Sequence, residues 1–129
     1  MSEQQRPLSI ALHRKSRELE LEYHSDERYS LSCEYLRVFS PSAEVMGHGP
    51  GQEVLQTGQM HVGITDRKPV GNYALQLVFD DGHDTGLYSW SYLYQLCTER
   101  ETRWKDYLGR LSAAGANRDP DVQVLSLDG

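Results

Sequence analysis

Two short segments carry residue types that could do chemistry. Asp80-Asp81-Gly82-His83-Asp84 sets three carboxylates beside one imidazole, a grouping that favours the imidazolium and offers oxygen and nitrogen ligands to a cation. Hairpin turns recruit Asp and Gly for conformational reasons as well, so a solvated turn is the competing reading. His24-Ser25-Asp26 matches the H-x-D half of the two-His, one-carboxylate iron site, with His83 as the distal histidine. Such sites stand on an eight-stranded jelly roll, whereas this chain spends about 26 residues on a terminal helix, so a polar turn is expected at 24–26. Cys33 and Cys97 are far apart and neither belongs to a C-x-x-C, which leaves them as small core residues rather than a redox pair or a four-Cys zinc site. The glycines of 47–51 lack the Lys-Ser/Thr ending of a phosphate loop. Ser40-Pro41-Ser42 has no His/Asp partner at a fixed spacing, so sequence gives no support to a nucleophilic serine.

The elements that must position these groups follow from periodicity. Leu8, Ile10 and Leu12, then Leu19, Leu21 and Tyr23, alternate with polar residues and predict a hairpin; Tyr29 and Leu31 continue as a third strand. Cys33 to Phe39 shifts to helical spacing behind a Ser32 cap and stops before Pro41. Gly47-His48-Gly49-Pro50-Gly51-Gln52 is a loop. Val62 and Ile64 open another strand, residues 69–72 turn the chain, and Tyr73 to Phe79 is the most apolar strand and should be central. Asp81-Gly82 then turns into a partner strand from Thr85 to Tyr88. Apolar residues at Leu93, Leu96, Cys97, Trp104, Leu108 and Leu111 predict one helix from Ser89 to Ala114, ended by Gly115. Tyr88, Trp90, Tyr92 and Tyr94 crowd the strand-to-helix join, where rings exposed together would mark a partner surface.

At 129 residues the chain makes one domain, expected over residues 1–115 with a flexible tail at 116–129 whose Val122, Val124, Leu125 and Leu127 could alternatively dock as a strand. The fold class is α+β, two-layered, with a mostly antiparallel sheet against the C-terminal helix. Thirteen Lys and Arg against 19 Asp and Glu give a net charge of -6, which argues against nucleic acid as partner. No apolar run reaches a membrane span and the N-terminus lacks the apolar centre of a secretion signal, so a cytoplasmic location is expected.

Four ordered motifs add a resemblance: Glu34-Tyr35-Leu36-Arg37-Val38-Phe39-Ser40-Pro41-Ser42-Ala43-Glu44, Gly47 to Gln52, Val70-Gly71-Asn72-Tyr73-Ala74-Leu75, and Phe79 to Trp90. Across about residues 7 to 97 the chain resembles the gamma-butyrobetaine hydroxylase-like N-terminal domain, a family of small bacterial proteins of unknown function. The resemblance implies a two-layer α+β domain that occurs alone in bacteria, in front of carnitine-pathway dioxygenases, and at the end of plant P-loop ATPases that handle iron-sulfur clusters. In the dioxygenases it holds a structural zinc with three Cys and one His. Alignment on Leu36-Arg37 puts Ser40, Ser42 and Val45 at the cysteine positions and keeps only His83 as a ligand. Hydroxyl and valine side chains cannot replace thiolates at tetrahedral zinc. The expectation is therefore a non-catalytic accessory or interaction module without a resident cofactor, serving an oxygenase, a P-loop ATPase or an iron-sulfur assembly partner. Its contact residues are expected among Ser40, Ser42, His48, Asn72, Asp81, His83 and Trp90, with hydrogen-bonded serines doing what zinc does elsewhere. The alternative is a zinc or iron site, for binding or sensing, centred on His83 with Cys33, Asp81, Asp84 or His48.

Overall fold

The computed structural model describes residues 6–122. Strands β1 (Ser9–His13), β2 (Glu18–Glu22) and β3 (Arg28–Ser32) form an antiparallel meander in which Ile10 faces Leu21 and Leu12 faces Leu19. The period of two buries Leu19, Leu21 and Leu31 and turns Glu18, Glu20 and Glu22 toward the other face. His24–Asp26 is a single 3-10 turn between β2 and β3, as a polar turn requires. Helix α1 (Cys33–Val38) follows β3 directly, started by the Ser32 hydroxyl accepting from Tyr35 N–H at 3.0 Å. A short α2 (Ala43–Met46) comes next. A second meander contains β4 (Ile64–Val70), β5 (Ala74–Phe79) and β6 (Leu87–Ser89), with β5 in the middle. Helices α3 (Trp90–Thr98) and α4 (Arg100–Ala114) complete the chain, and Gly115 closes α4 in the left-handed conformation at φ 63°.

The α+β class and the antiparallel pairing stand, but the single sheet resolves into two three-stranded ones. Alternation along a strand fixes which face is buried, not which strand is its neighbour. Here β3 runs into α1 instead of pairing with β4, and both meanders bury one face in a shared core of Leu19, Leu21, Leu36, Leu77, Phe79 and Leu96 among others. The single helix is also two. Glu99, at φ -104° and ψ 15°, ends α3 and starts α4. The break lets α3 bury Leu93 and Leu96 in the main core while α4 packs Tyr107 and Leu111 with Val38 in a satellite cluster. Val62 is buried ahead of β4 rather than in it, Tyr73 lies exposed in the β4–β5 turn, and β6 begins at Leu87, after Thr85.

The segment expected to be a free tail is fastened where it leaves α4. Gly58 and Met60 donate backbone N–H groups to the carbonyls of Asn117 and Arg118, both at 2.9 Å. The Arg118 guanidinium forms two parallel 2.8 Å hydrogen bonds to the buried Glu34 carboxylate and lies 5.1 Å above the Trp104 ring. Val124, Leu125 and Leu127 lie outside the described residues. Arg118→Ala strands a buried carboxylate and is expected to lower the urea unfolding free energy by about 1–3 kcal/mol, against an effect near zero if the segment merely hangs from α4.

Candidate functional site

Four of the residues singled out in sequence meet at one corner, where the end of α1 and the start of α2 face the β5–β6 connection. The Ser40 Oγ lies 2.8 Å from His83 Nε2, and His83 Nδ1 lies 3.4 Å from Glu44 Oε2. Ser42 Oγ pairs with Thr85 Oγ1 at 2.7 Å, and Thr85 in turn donates to Glu44 Oε1 at 3.3 Å. Local sequence explains the entry. Ser40 accepts from Ser42 N–H at 3.2 Å, and Ser42 caps α2 by accepting from Glu44 N–H at 3.2 Å. On the opposite side Gly82, at φ 91°, makes the turn that returns Phe79 N–H to the His83 carbonyl at 2.9 Å. Asp81 fixes that turn twice, accepting from His83 N–H at 3.1 Å and from Arg37 Nε at 2.9 Å.

Ser40 is fully buried, and Ser42 and His83 are nearly so. Burial, and then the positive charge of Arg37, holds the His83 imidazole below its ordinary pKa, against the opposite pull of Glu44 and Asp81. Burial thus favours the uncharged ring. In the tautomer that directs Nδ1–H at Glu44, Nε2 accepts from the Ser40 hydroxyl.

Hydroxyl, imidazole and carboxylate in this order are the parts of a nucleophilic serine site, which the spacing in sequence did not reveal because Ser40 and His83 are 43 positions apart. Access decides against it. Ser40 is 0% exposed, and a β-carbon added to Gly86 would stand 2.5 Å from its Oγ, so the hydroxyl is packed against the Gly86 backbone and closed to solvent. The relay is a clasp between two chain segments. Among the described residues no buried side-chain nitrogen or oxygen lacks a hydrogen-bond partner, so the corner is satisfied by protein groups alone.

The other expected contact residues lie elsewhere. His48 is exposed in the glycine loop, whose conformation is set by Gly47 at φ 74° packed against the Gln52 carbonyl. Asn72 sits in the β4–β5 turn at the opposite end of β5, and its carbonyl accepts from Trp90 Nε1 at 2.9 Å. Trp90 is 3% exposed, a core residue that anchors this turn. Tyr88 is likewise buried and Tyr92 and Tyr94 half-buried, so these rings are not exposed together. Cys33 and Cys97 are buried free thiols; burial pushes both upward, Cys97 to about 12. Among the described residues no trio of His, Cys, Asp or Glu converges on His83 or Cys33. Sequence reasoning missed Arg37, Thr85 and Gly86, although all three stand inside the motifs quoted above.

The family model described as gamma-butyrobetaine hydroxylase-like, N-terminal, matches residues 10–94. Two proteins whose solution structures were determined by NMR are similar to the chain. One is 51% identical with a TM-score of 0.80, covering 96% of this chain and 98% of its own; the other is 49% identical at 0.76, covering 96% and 93%. A crystal structure of a protein of unknown function from Acidithiobacillus ferrooxidans, assigned to the DUF971 family, is 36% identical with a TM-score of 0.60 over 72% of this chain and 93% of that one. No curated protein matches.

Two measurements probe the corner. In an NMR titration the His83 ring should protonate below the ordinary value of about 6.5. Its depressed native pKa means that its contribution to stability is complete above that value and declines as pH falls toward the native pKa, a slope His83→Gln should remove. Gly86→Ala should cost about 1–3 kcal/mol because the new methyl group displaces Ser40 Oγ.

Proposed function

The chain belongs to the gamma-butyrobetaine hydroxylase-like N-terminal family, and on that premise we propose that it acts as a non-catalytic accessory module that docks on a protein partner in the cytoplasm. The partner class that fits the resemblance is an oxygenase, a P-loop ATPase or an iron-sulfur assembly factor. One observation carries the reading: beside a polar corner closed to substrates lies an open apolar cleft. Met46 and Val54 stand 41% and 53% exposed on either side of the hydrogen bond from Val54 N–H to the Val45 carbonyl. They border a cleft of about 180 Å³ lined by Val38, Phe39, Leu55 and Tyr92 together with the charged Glu53, Arg103 and Arg110. Rigid backing comes from Tyr107, whose hydroxyl donates to the Gln56 carbonyl at 2.8 Å, and from Arg37, which holds Gln56 Oε1 at 2.9 Å. Preformed apolar clefts with fixed walls bind with little ordering cost. Among the described residues no helix is long and apolar enough to cross a membrane.

The reading has a chemical and a binding test. A fluorophosphonate probe, which labels activated serines, should leave Ser40 unmodified in the folded protein; stoichiometric labelling there would make the relay catalytic and overturn the proposal. Met46→Asp combined with Val54→Asp should leave thermal stability unchanged, since both side chains are exposed. It should also abolish recovery of the protein that the wild-type chain retains from native lysate. Equal recovery by the variant removes this face as the docking surface.

A further inference from the structure

We propose that His61, Asp119 and Asp121 form a binding site for a divalent cation of the zinc or manganese type, clamping the loop before β4 to the segment after α4. One ligand atom from each of the three side chains lies within 4.8 Å of the other two, and no other trio of His, Cys, Asp or Glu converges in this way among the described residues. The residues come from segments nearly sixty positions apart, so chance proximity along the chain does not explain the grouping. Two backbone hydrogen bonds, Gly58 N–H to Asn117 and Met60 N–H to Arg118, set the segments in register. Gly58, at φ 67°, brings the loop against Pro120, where an added β-carbon would already be in contact at 3.5 Å. The bidentate Arg118–Glu34 pair anchors the same segment in the interior one residue before the first carboxylate.

The scaffold also presents the carboxylates. Asn117 Oδ1 accepts from Asp119 N–H and Asp119 Oδ1 accepts from Asp121 N–H, both at 2.9 Å, which directs successive side chains to one side of the turn. Among the described residues, no hydrogen bond reaches the second oxygen of Asp119 or the Asp121 carboxylate. One imidazole and two carboxylates suit a borderline divalent ion that keeps water at its remaining positions, and the imidazole disfavours calcium, which takes oxygen donors. Metal–ligand distances of about 2.0–2.2 Å need the three atoms to draw together slightly, a change that rotation of the exposed His61 and Asp121 side chains supplies. Two carboxylates held this close repel one another, and the attraction of a bound cation to each offsets that repulsion.

The test uses the full chain, freed of any affinity tag and treated with chelator, titrated with ZnCl2, MnCl2 and CaCl2 by calorimetry. Zinc should bind at one site per chain and raise the unfolding temperature, with calcium at least about tenfold weaker. His61→Ala and Asp121→Asn should each weaken zinc binding by about tenfold or more while leaving the metal-free protein as stable as before, since both residues are exposed. Absence of zinc binding, calcium binding as tight as zinc, or zinc binding unchanged in either variant overturns the proposal. The site lies apart from His83, so none of these outcomes depends on the docking role.

Discussion

A short helix enclosed on all sides must have its end groups satisfied by protein, and α1 is such a helix: all six of its residues are buried. Much of the remaining architecture can be read as the answer to that demand. The hydroxyl of Tyr88 donates to the Leu36 carbonyl and that of Tyr92 to the Phe39 carbonyl, so two tyrosines from the β6–α3 join cap the C-terminal end of α1. Tyr35, from α1 itself, returns a hydrogen bond to the Leu96 carbonyl of α3 at 2.7 Å. Burial pushes all three phenols upward, Tyr88 furthest, so they remain donors throughout the physiological range. Tyr88 and Tyr92, from the aromatic stretch that the sequence concentrates at the strand-to-helix join, thus have their hydroxyls committed to internal hydrogen bonds.

The same demand explains the clasp at Ser40. Once α1 has ended, the chain has to leave a buried position without orphaned polar groups, and it does so by trading hydroxyl, amide and imidazole contacts with the β5–β6 connection. A bound metal would meet that need with a few strong bonds to ionised ligands. Here several individually weaker contacts share it, and Gly86 is the space that lets them approach. Because each contact depends on the others for its geometry, removing one leaves a buried group unpaired and costs more than the bond alone.

Sequence made the strands, α1 and the helical C-terminal region legible because each rests on local periodicity and capping: Leu19 and Leu21 for β2, Ser32 for α1, Ser89 for α3. It also singled out Ser40, Ser42, Asp81 and His83, through their place in the motifs that carry the family resemblance. What it did not show depends on groups distant in the chain. Arg37 reads as an ordinary helical cation until Asp81 is seen beside it, 44 positions away. Trp90 and Asn72, both expected among the contact residues, meet through the Asn72 backbone carbonyl, 18 positions apart in the chain. The division of the C-terminal helix at Glu99 escaped because Cys97 and Trp104, seven positions and about two helical turns apart, keep one apolar stripe across it, and only the separate cores reached by Leu96 and Tyr107 reveal the change of course.

The two cysteines give this fold a latent label. Cys33 is 1% exposed and Cys97 is 5% exposed, beside the Tyr23 hydroxyl, so neither offers a thiolate to an electrophile while the core stays closed. Each reports a different breach: Cys33 the parting of α1 from the sheets, Cys97 the lifting of α3. An alkylating reagent applied to the native protein thus acts as a clock for those two openings, with no foreign reporter group introduced.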